Sequence, residues 1–365
     1  MNTSDIVIAG GGIIGLSIAL ELASEGLRVT VLERGRAMSE ASWAAAGMLA
    51  AHDPENPSVL GPLSKMSLSL YPAFLDHLHR LSGQNIPLRT RRALQGSRRG
   101  ELFSTQAGNL AGLIDATTAI EVVPGLNIQG RQFLLLEEDS LDPRDLCLAL
   151  PRAVVASGVE LAEETAVLGV KVKGQSIVVE TTNGNIDAGA FVNSCGAWAG
   201  SLHGSTGNFA PERLGIEPRK GQLVTVQMPD SESLKRVLRT PEIYLVPRGD
   251  GRIVIGATIE HRGFDKAVDS DVVQTLVDEA CALWPPLAAA RVVDTWVGLR
   301  PGSGDGLPLM GRCGGDHLWM AAGHFRNGIL LAPATARIMR QLLAGERPEV
   351  PVDPFAPARF GLEED

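Results

Sequence analysis

Between Asp5 and Gly35 the chain reads DIVIAGGGIIGLSIALELASEGLRVTVLERG. Ile6-Val7-Ile8 is a short apolar run of the kind buried in a parallel sheet. The run breaks at Gly10-Gly11-Gly12 and restarts with Ile14, Ile18 and Leu22 on one side of a helix. Gly26 suits a helix stop, and Leu27 to Leu32 reads as the next strand. Gly10, Gly12 and Gly15 therefore stand as G-x-G-x-x-G between strand and helix. The first permits a tight turn, the second lets the backbone approach a pyrophosphate, and the third allows close helix–strand packing. The helix N-terminus meets the phosphate charge with free N–H groups. Glu33 ends the second strand, where a carboxylate accepts from a ribose 2′-OH and repels the 2′-phosphate of NADP. Strand, glycines, helix, strand and acid in that order define a dinucleotide clamp.

A simple NAD domain would continue into further βα units. This chain instead offers SEASWAAAGMLAAHDP, Ser39 to Pro54, rich in small residues and without strand alternation. Ala44, Ala45, Ala46 and Gly47 leave room for a flat ring against their backbone, although a tightly packed helix start accounts for that segment equally well. Farther on, Ala190-Phe191-Val192 reads as a strand running into NSCGAWAGSL. Leu318 to Ala321 is a third strand, followed by a glycine turn and a helix ending near Gly345. Ile329, Leu330, Ala334, Ile338 and Leu342 follow the 3.6-residue period. Pro333 is tolerable near a first turn, which puts the helix start at Asn327 or Gly328. That N-terminus would stabilise the anionic N1–O2 edge of a reduced isoalloxazine. Distant glycine-rich strand ends converging on the first make a discontinuous cofactor domain, which suits FAD better than NAD.

The rest of the composition narrows the class. At 365 residues the chain fits two layered lobes, and its net charge of −9 gives no electrostatic reason for nucleic acid or an anionic membrane as partner. Arg89, Arg91, Arg92, Arg98 and Arg99 read as a solvated loop or hairpin face. The N-terminus lacks a secretory signal pattern and no uninterrupted apolar stretch reaches membrane-spanning length. Cys147, Cys195, Cys281 and Cys313 are scattered without a CxxC pair, so no metal site or disulfide framework is indicated and the reducing cytoplasm is the simplest location.

Four blocks carry a resemblance to a known family: IAGGGIIGLSIA, AAAGML, YLVPRGDGRIVIGAT with WVGLRPGSGDGLPLMGR, and AAGHFRNGILLAPATA. With them the chain resembles the glycine oxidase branch of the FAD-dependent D-amino-acid oxidase family. The likeness covers the first fifty residues and most of the chain after about Asp142. It weakens between about Leu88 and Leu141, where the family has a longer substrate domain and this chain is shorter and arginine-rich. The resemblance implies FAD contacts from Ile13, Ile14, Glu33, Arg34, Ser42, Ala46, Gly47, Met48 and Val167. To these it adds His324, Phe325, Arg326, Asn327, Gly328, Ile329 and Leu330. Gly10, Gly12, Gly15, Ala41 and Gly196 complete the cofactor-binding set. Arg300 and Arg326 match the two substrate-contacting arginines, Tyr244 matches the active-site tyrosine, and these three form the catalytic set with Met48 beside the substrate.

The residue chemistry agrees with those roles. Arg300, after a strand-like Thr295 to Leu299, presents a planar fork able to hold an α-carboxylate by two parallel hydrogen bonds. Arg326 precedes a helix start, where a cation is unfavourable against the dipole and needs an anion such as flavin or substrate. In EIYLVPR, alternation puts Ile243 and Leu245 on one strand face and Tyr244 on the other. Met48 and Leu49 would line the pocket or serve as core, and Lys220 could face substrate or solvent. Cys313, in the turn GRCGGDH, reads as an exposed thiol, and FAD is expected to be noncovalent. Pro151 should kink or shorten the helix begun by Asp142-Pro143.

The expected fold is α/β: a Rossmann-like FAD-binding domain, discontinuous over residues 1–80, 142–210 and 296–350, with an inserted α+β substrate domain built on an antiparallel sheet from 81–141 and 211–295. The expected reaction is oxidative deamination of glycine, sarcosine and small D-amino acids, with O₂ as acceptor and hydrogen peroxide as product. The family role often lies in thiamine thiazole synthesis, and the resemblance implies a homo-oligomer. The alternatives are a broader D-amino-acid oxidase or dehydrogenase, the latter passing electrons to a carrier, and a flavin-binding module without turnover.

Overall fold

The computed structural model describes residues 3–103, 112–202, 214–229 and 234–361. The expected domain boundary at 210/211 lies outside these residues. In chain order the first third holds β1 (Thr3–Ala9), α1 (Ile13–Ser24), β2 (Val29–Leu32), α2 (Ala41–Ala44), α3 (Gly61–Ser82), β3 (Leu88–Thr90) and β4 (Ala93–Gly96). Next come β5 (Leu113–Ile114), α4 (Ala116–Val122), β6 (Phe133–Leu136), β7 (Ser140–Leu141), α5 (Pro143–Ala156) and β8 (Glu160–Ala162). The ribbon β9 (Val167–Lys173), β10 (Ser176–Thr181) leads into β11 (Gly184–Asn193) and the long β12 (Glu217–Gln227). The last third holds β13 (Val237–Arg239), β14 (Tyr244–Pro247), β15 (Arg252–Gly256) and α6 (Ser270–Leu283). It closes with β16 (Arg291–Gly302), β17 (Leu309–Arg312), β18 (Leu318–Ala322) and α7 (Gly328–Leu343).

Two eight-stranded sheets organise the molecule. In the first, in the order β17-β18-β11-β1-β2-β8, the pairs β11–β18, β1–β11, β1–β2 and β2–β8 are parallel. The β9–β10 ribbon pairs antiparallel along β11. One face is covered by α1, α3, α5 and α7, which share a core with Ile8, Val31 and Val192. Because α1 is wedged against the sheet and other helices, it buries Leu16, Ser17, Ala19 and Leu20 as well as Ile18 and Leu22. A helix buried on most sides needs apolar residues on most sides, so the single expected stripe understates it. Each large side chain placed there contributes about 1.5–3 kcal/mol.

The second sheet runs β16-β12-β15-β14-β13-β4-β6-β5 and is antiparallel except for the β13–β4 pair. Alternation along β14 divides its side chains as anticipated. Leu245, with Ile243 just before the strand, enters a core with Leu276 and Ala280 of α6, whereas Tyr244 packs on the other face with Ala44, Ala46 and Trp296. Asp142, Asp115 and Asp269 cap α5, α4 and α6 by accepting from backbone N–H groups of the second or third residue of each helix.

Several expectations need correction. α5 runs unbroken through Pro151. Its buried Leu146, Leu150, Ala153 and Val154 hold the helix in place against the roughly 3 kcal/mol that an interior proline costs. Pro72 in α3 and Pro333 in α7 are interior too. Cys313 is buried, because its N–H donates to Leu318 O and folds the β17–β18 turn back on the core. Leu49 is also core rather than cavity wall. Arg91, Arg92, Arg98 and Arg99 are exposed, but Arg89 is half-buried and ion-paired with Asp145 at 2.8 Å. Lys220 meets neither substrate nor solvent: buried, it donates to Asp265 Oδ2 and Ala267 O, both at 2.7 Å.

Arg248 ties the two sheets' territories together. Its buried guanidinium donates to Ala46 O at 2.9 Å and Leu141 O at 3.2 Å, and lies 3.6 Å from Asp142. Burial pulls its pKa down and the Asp142 carboxylate pushes back. Arg248→Met should destabilise the chain by roughly 3–5 kcal/mol by stranding a buried carboxylate, read as a lower urea midpoint.

Candidate active site

Where β1, β11 and β18 end, their loops face the second sheet across a cavity of about 430 Å³. Ligands of open α/β sheets bind outside the carboxyl ends of the strands in this way. The close approach starts at Gly10, whose φ is +108° and whose missing side chain leaves space for the carbonyl of Ser194, after β11. A Cβ at Gly15 would overlap Gly10 O, so α1 can sit against the turn only because both are glycine. Gly12 caps α1 without a side-chain bond and no acidic residue occupies the first turn. The same holds for α7 behind Asn327. Two helix N-termini thus open into one cavity with their partial positive charge uncompensated by a nearby carboxylate on the same helix.

The wall residues fit an FAD molecule by their own chemistry. Glu33 accepts from Gly11 N at 2.8 Å and Gly35 N at 2.9 Å, which fixes its carboxylate at the end of β2 with lone pairs to spare for a ribose. Ser42 Oγ accepts from Ile13 N at 2.9 Å and so joins the small-residue stretch to the start of α1. Ala44, Ala45, Ala46 and Gly47 follow along the wall, at first as the short helix α2 and then extended. Gly47 takes φ +83°, and a Cβ there would overlap Leu141 O. Ser194, also on the wall, has a buried hydroxyl without a partner among the described residues. Such an atom calls for a hydrogen-bonding ligand.

The cavity brings together nearly all the residues singled out in the sequence. Gly10, Gly12, Ile13, Ile14, Glu33, Arg34, Ala41, Ser42, Ala46, Gly47, Met48, Val167 and Gly196 line it. So do Tyr244, Arg300, His324, Phe325, Arg326, Asn327, Gly328 and Ile329. Gly15 and Leu330 do not reach the wall, since one packs behind the turn and the other points into the helix core. Cys195 is the cysteine on the wall, its thiol pushed up to about 12 by burial, with the Glu33 carboxylate adding to the effect. A thiol held protonated is a poor candidate for covalent attachment.

At the end formed by the second sheet, two glycines make room for the polar groups. A Cβ on Gly256 would sit 2.5 Å from the Tyr244 hydroxyl, and one on Gly221 would overlap the Arg300 guanidinium. Arg300 donates to Thr258 O at 2.9 Å, which leaves most of its five donors for other acceptors. Burial raises the Tyr244 pKa, and the charge of Arg300 and a hydrogen bond with it pull the other way. Met48 bridges to Ser140 and closes the side of this pocket.

Arg326 has its counter-anion within the protein: Asp53 Oδ2 lies 3.6 Å away. Sequence reading passed over Asp53, as well as Arg239, Glu138 and Trp198, because none stands in a motif. Arg34 stacks on the Trp198 ring at 3.8 Å, and Phe264 stacks on that ring at 5.2 Å. His324 is buried, with Nε2 3.0 Å from Thr335 Oγ1, and burial lowers its pKa to about 3.

A dinucleotide clamp whose cavity runs on to Arg300 and Tyr244 is the frame of a flavin-dependent oxidoreductase. The family profile described as DAO, FAD dependent oxidoreductase, matches residues 5–342. A glycine oxidase from Pseudomonas aeruginosa is 35% identical, over 97% of this chain and 98% of its own length. A bifunctional protein ThiO/ThiG from Synechocystis is 36% identical over 98% of this chain and 54% of that longer protein. The crystal structure of glycine oxidase from Geobacillus kaustophilus superposes with a TM-score of 0.90 at 31% identity, over 98% of this chain and 99% of that one. The chain belongs to the FAD-dependent oxidoreductase family of the D-amino-acid oxidase type, and its cofactor is FAD.

Two predictions come from this geometry. Gly10→Ala should raise the FAD Kd at least ~100-fold in fluorescence titration, because its φ is positive and its Cβ meets backbone. His324 has a folded pKa below its unfolded value, so its stabilising contribution is complete above about pH 6.5 and is lost as pH falls toward 3. His324→Gln should flatten the acid limb of the stability–pH curve by about 1.4 kcal/mol per pH unit, as measured by urea unfolding.

Proposed function

We propose that this enzyme oxidises glycine and similarly small amines to the 2-oxo acid, with release of ammonia and reduction of O₂ to hydrogen peroxide. The observation that carries the reading is the meeting of Arg300 and Tyr244 at the end of the cavity formed by the second sheet, with Gly221 and Gly256 making room for them. The glycine oxidases among its relatives support the substrate class. The ThiO/ThiG relative supports a place beside thiamine thiazole synthesis. For glycine the balance is glycine, O₂ and water in, glyoxylate, ammonia and H₂O₂ out. We place FAD binding, noncovalently, on the parallel-sheet elements, and substrate binding on the antiparallel sheet. Scattered free cysteines support a cytoplasmic setting.

In this reading the fork of Arg300 takes the substrate carboxylate by paired charge-assisted bonds and the Tyr244 hydroxyl donates a third. Met48 limits the space beside Cα. The bound flavin supplies the two-electron acceptor. Positioning is the protein's main contribution, and no side chain has to act as general base if the amine arrives unprotonated. Protonated Tyr244 remains a donor across the working range because burial raises its pKa.

Anaerobic mixing of the FAD-loaded protein with glycine should bleach the flavin band, and readmitted air should produce peroxide in equal amount. Absence of bleaching with glycine, sarcosine and D-alanine alike would overturn the reading. Arg300→Ala should raise KM for glycine at least ~100-fold while FAD stays bound, the loss of a bidentate charged pair being worth about 3 kcal/mol or more.

A further inference from the structure

Between β15 and α6 the chain leaves the antiparallel sheet as a strap, residues 257–269, without helix or strand. The strap is exposed over most of its length and touches both ends of the cavity. Near its start, Thr258 O accepts from Arg300 Nη1 at 2.9 Å. Toward its tip, Phe264 stacks on Trp198, and Lys266 pairs with Glu40 at 2.5 Å. Trp198 and Glu40 both stand on the cavity wall with Arg34.

The Thr258 contact matters because of what Arg300 lacks. Arg239 is held by Glu138 and Arg326 by Asp53, but among the described residues Arg300 has no carboxylate partner. Thr258 O and the Tyr244 hydroxyl hold it instead. A fork kept clear of the protein's own carboxylates stays available to a substrate's, and something neutral has to aim it. A segment without regular structure can aim it only if its own backbone is fixed, since loose backbone regains conformational entropy.

β12 supplies that fixing. Lys220 and Gln222 are buried, stand two residues apart on one strand face, and each grip both limbs of the strap. Lys220 exchanges backbone hydrogen bonds with Glu260 at 3.0 and 2.9 Å, and its Nζ donates to Asp265 Oδ2 and Ala267 O. Gln222 Nε2 donates to Glu260 Oε1 at 3.0 Å, and its Oε1 accepts from Asp269 N at 2.8 Å. Gln222 N donates to Thr258 Oγ1 at 3.0 Å, and that hydroxyl donates to Glu260 Oε1 at 2.5 Å. Thr258, whose carbonyl meets Arg300, is thus tied to β12 through its own side chain. Gly221, between the two gripping residues, leaves the space that the Arg300 guanidinium fills. Burying an ammonium costs free energy that an apolar side chain would not. Its partner Asp265 is 46% exposed, so the pair adds little cohesion in return, and what the charge secures is the position of the strap.

We propose that Lys220 and Gln222 are positioning residues for carboxylate recognition: they clasp the strap against β12, and Thr258 O of the strap aims the fork of Arg300 at the substrate. This rests on the amine-oxidation reading and deepens it by naming what orients its carboxylate-binding group. Neither residue touches the substrate, and both act through Arg300.

The test uses the FAD-loaded full chain. Lys220→Met keeps an unbranched stem in the buried site and releases the strap, while Asp265 returns to water. KM for glycine should rise about ten-fold with kcat within about two-fold, because the loss falls on ground-state and transition-state binding alike. Acetate should perturb the flavin spectrum only at about ten-fold higher concentration, a readout independent of turnover. Gln222→Met, and Asp265→Ala on the exposed strap, should move both values the same way by about three-fold or more. In an Arg300→Ala background, adding Lys220→Met should change kcat/KM for glycine by less than about two-fold, whereas a merely structural role would lower it as much as in the parent. Unchanged KM and acetate affinity in the folded variants, or an equal loss in both backgrounds, would overturn the assignment. Weakened acetate binding in Lys220→Met when no amine bleaches the flavin would keep the positioning role and remove the amine-oxidation reading. Glycine oxidation with a KM indifferent to all three substitutions would do the reverse.

Discussion

The parallel pairing of β1 with β11 is the constraint on which the site depends. It sets Ala9 beside Asn193, so the turn at Gly10 meets Ser194 although nearly the whole first half of the chain lies between them. β18 continues the pairing through Asn193 and Met320. The glycine turn before α7 therefore arrives at the same sheet end as the one before α1. A side chain at Gly10 would push β11 away, and the three strand ends would no longer converge. Long-range parallel pairing carries a loop-closure cost in entropy, offset here by the apolar faces of β1, β11 and four helices.

Electrostatics then assigns the two ends of the cavity different tasks. Helix N-termini contribute diffuse positive potential where phosphates and a flavin anion belong. The sheet floor instead contributes compact cations, Arg239 and Arg300, held by neutral acceptors and only partly by carboxylates. A compact guanidinium recognises carboxylate geometry, which a helix terminus cannot do. Arg326 stands between the two regimes, one step before α7, and Asp53 keeps it from opposing the helix dipole unpaired.

The cofactor half was legible in the sequence because its determinants are local. A glycine fingerprint, an acid at a strand end and a helix start after HFRNG each declare a backbone geometry within a few residues. Tyr244 was legible for a similar reason, since strand alternation alone separates it from Ile243 and Leu245. What escaped was tertiary in origin. Cys313 sits in a polar turn, and only the β17–β18 register sends it inward. Pro151 breaks a rule of isolated helices, but the packing of α5 against α1 and α3 overrides it. Asp53, Glu138 and Arg239 lie far apart along the chain and look like ordinary surface charges until the β13–β14 and β13–β4 pairings place Arg239 on the cavity face.

Glycines inside strands weaken a sheet, and β12 and β15 contain Gly221 and Gly256 at positions where any side chain would occupy the active-site end. The weakening is tolerable because the opposite face of the same strands is fully engaged: Ile253 and Ile255 of β15, with Val224 and Val226 of β12, pack under α6. Strand period therefore divides the labour. One set of alternate residues packs under α6, and the other packs in part on Ala44, Ala46 and Trp296 and carries Tyr244 and Arg239 to the cavity wall. A floor built this way is stiff because its supporting core lies directly beneath it, and stiffness is what a reaction governed by positioning requires.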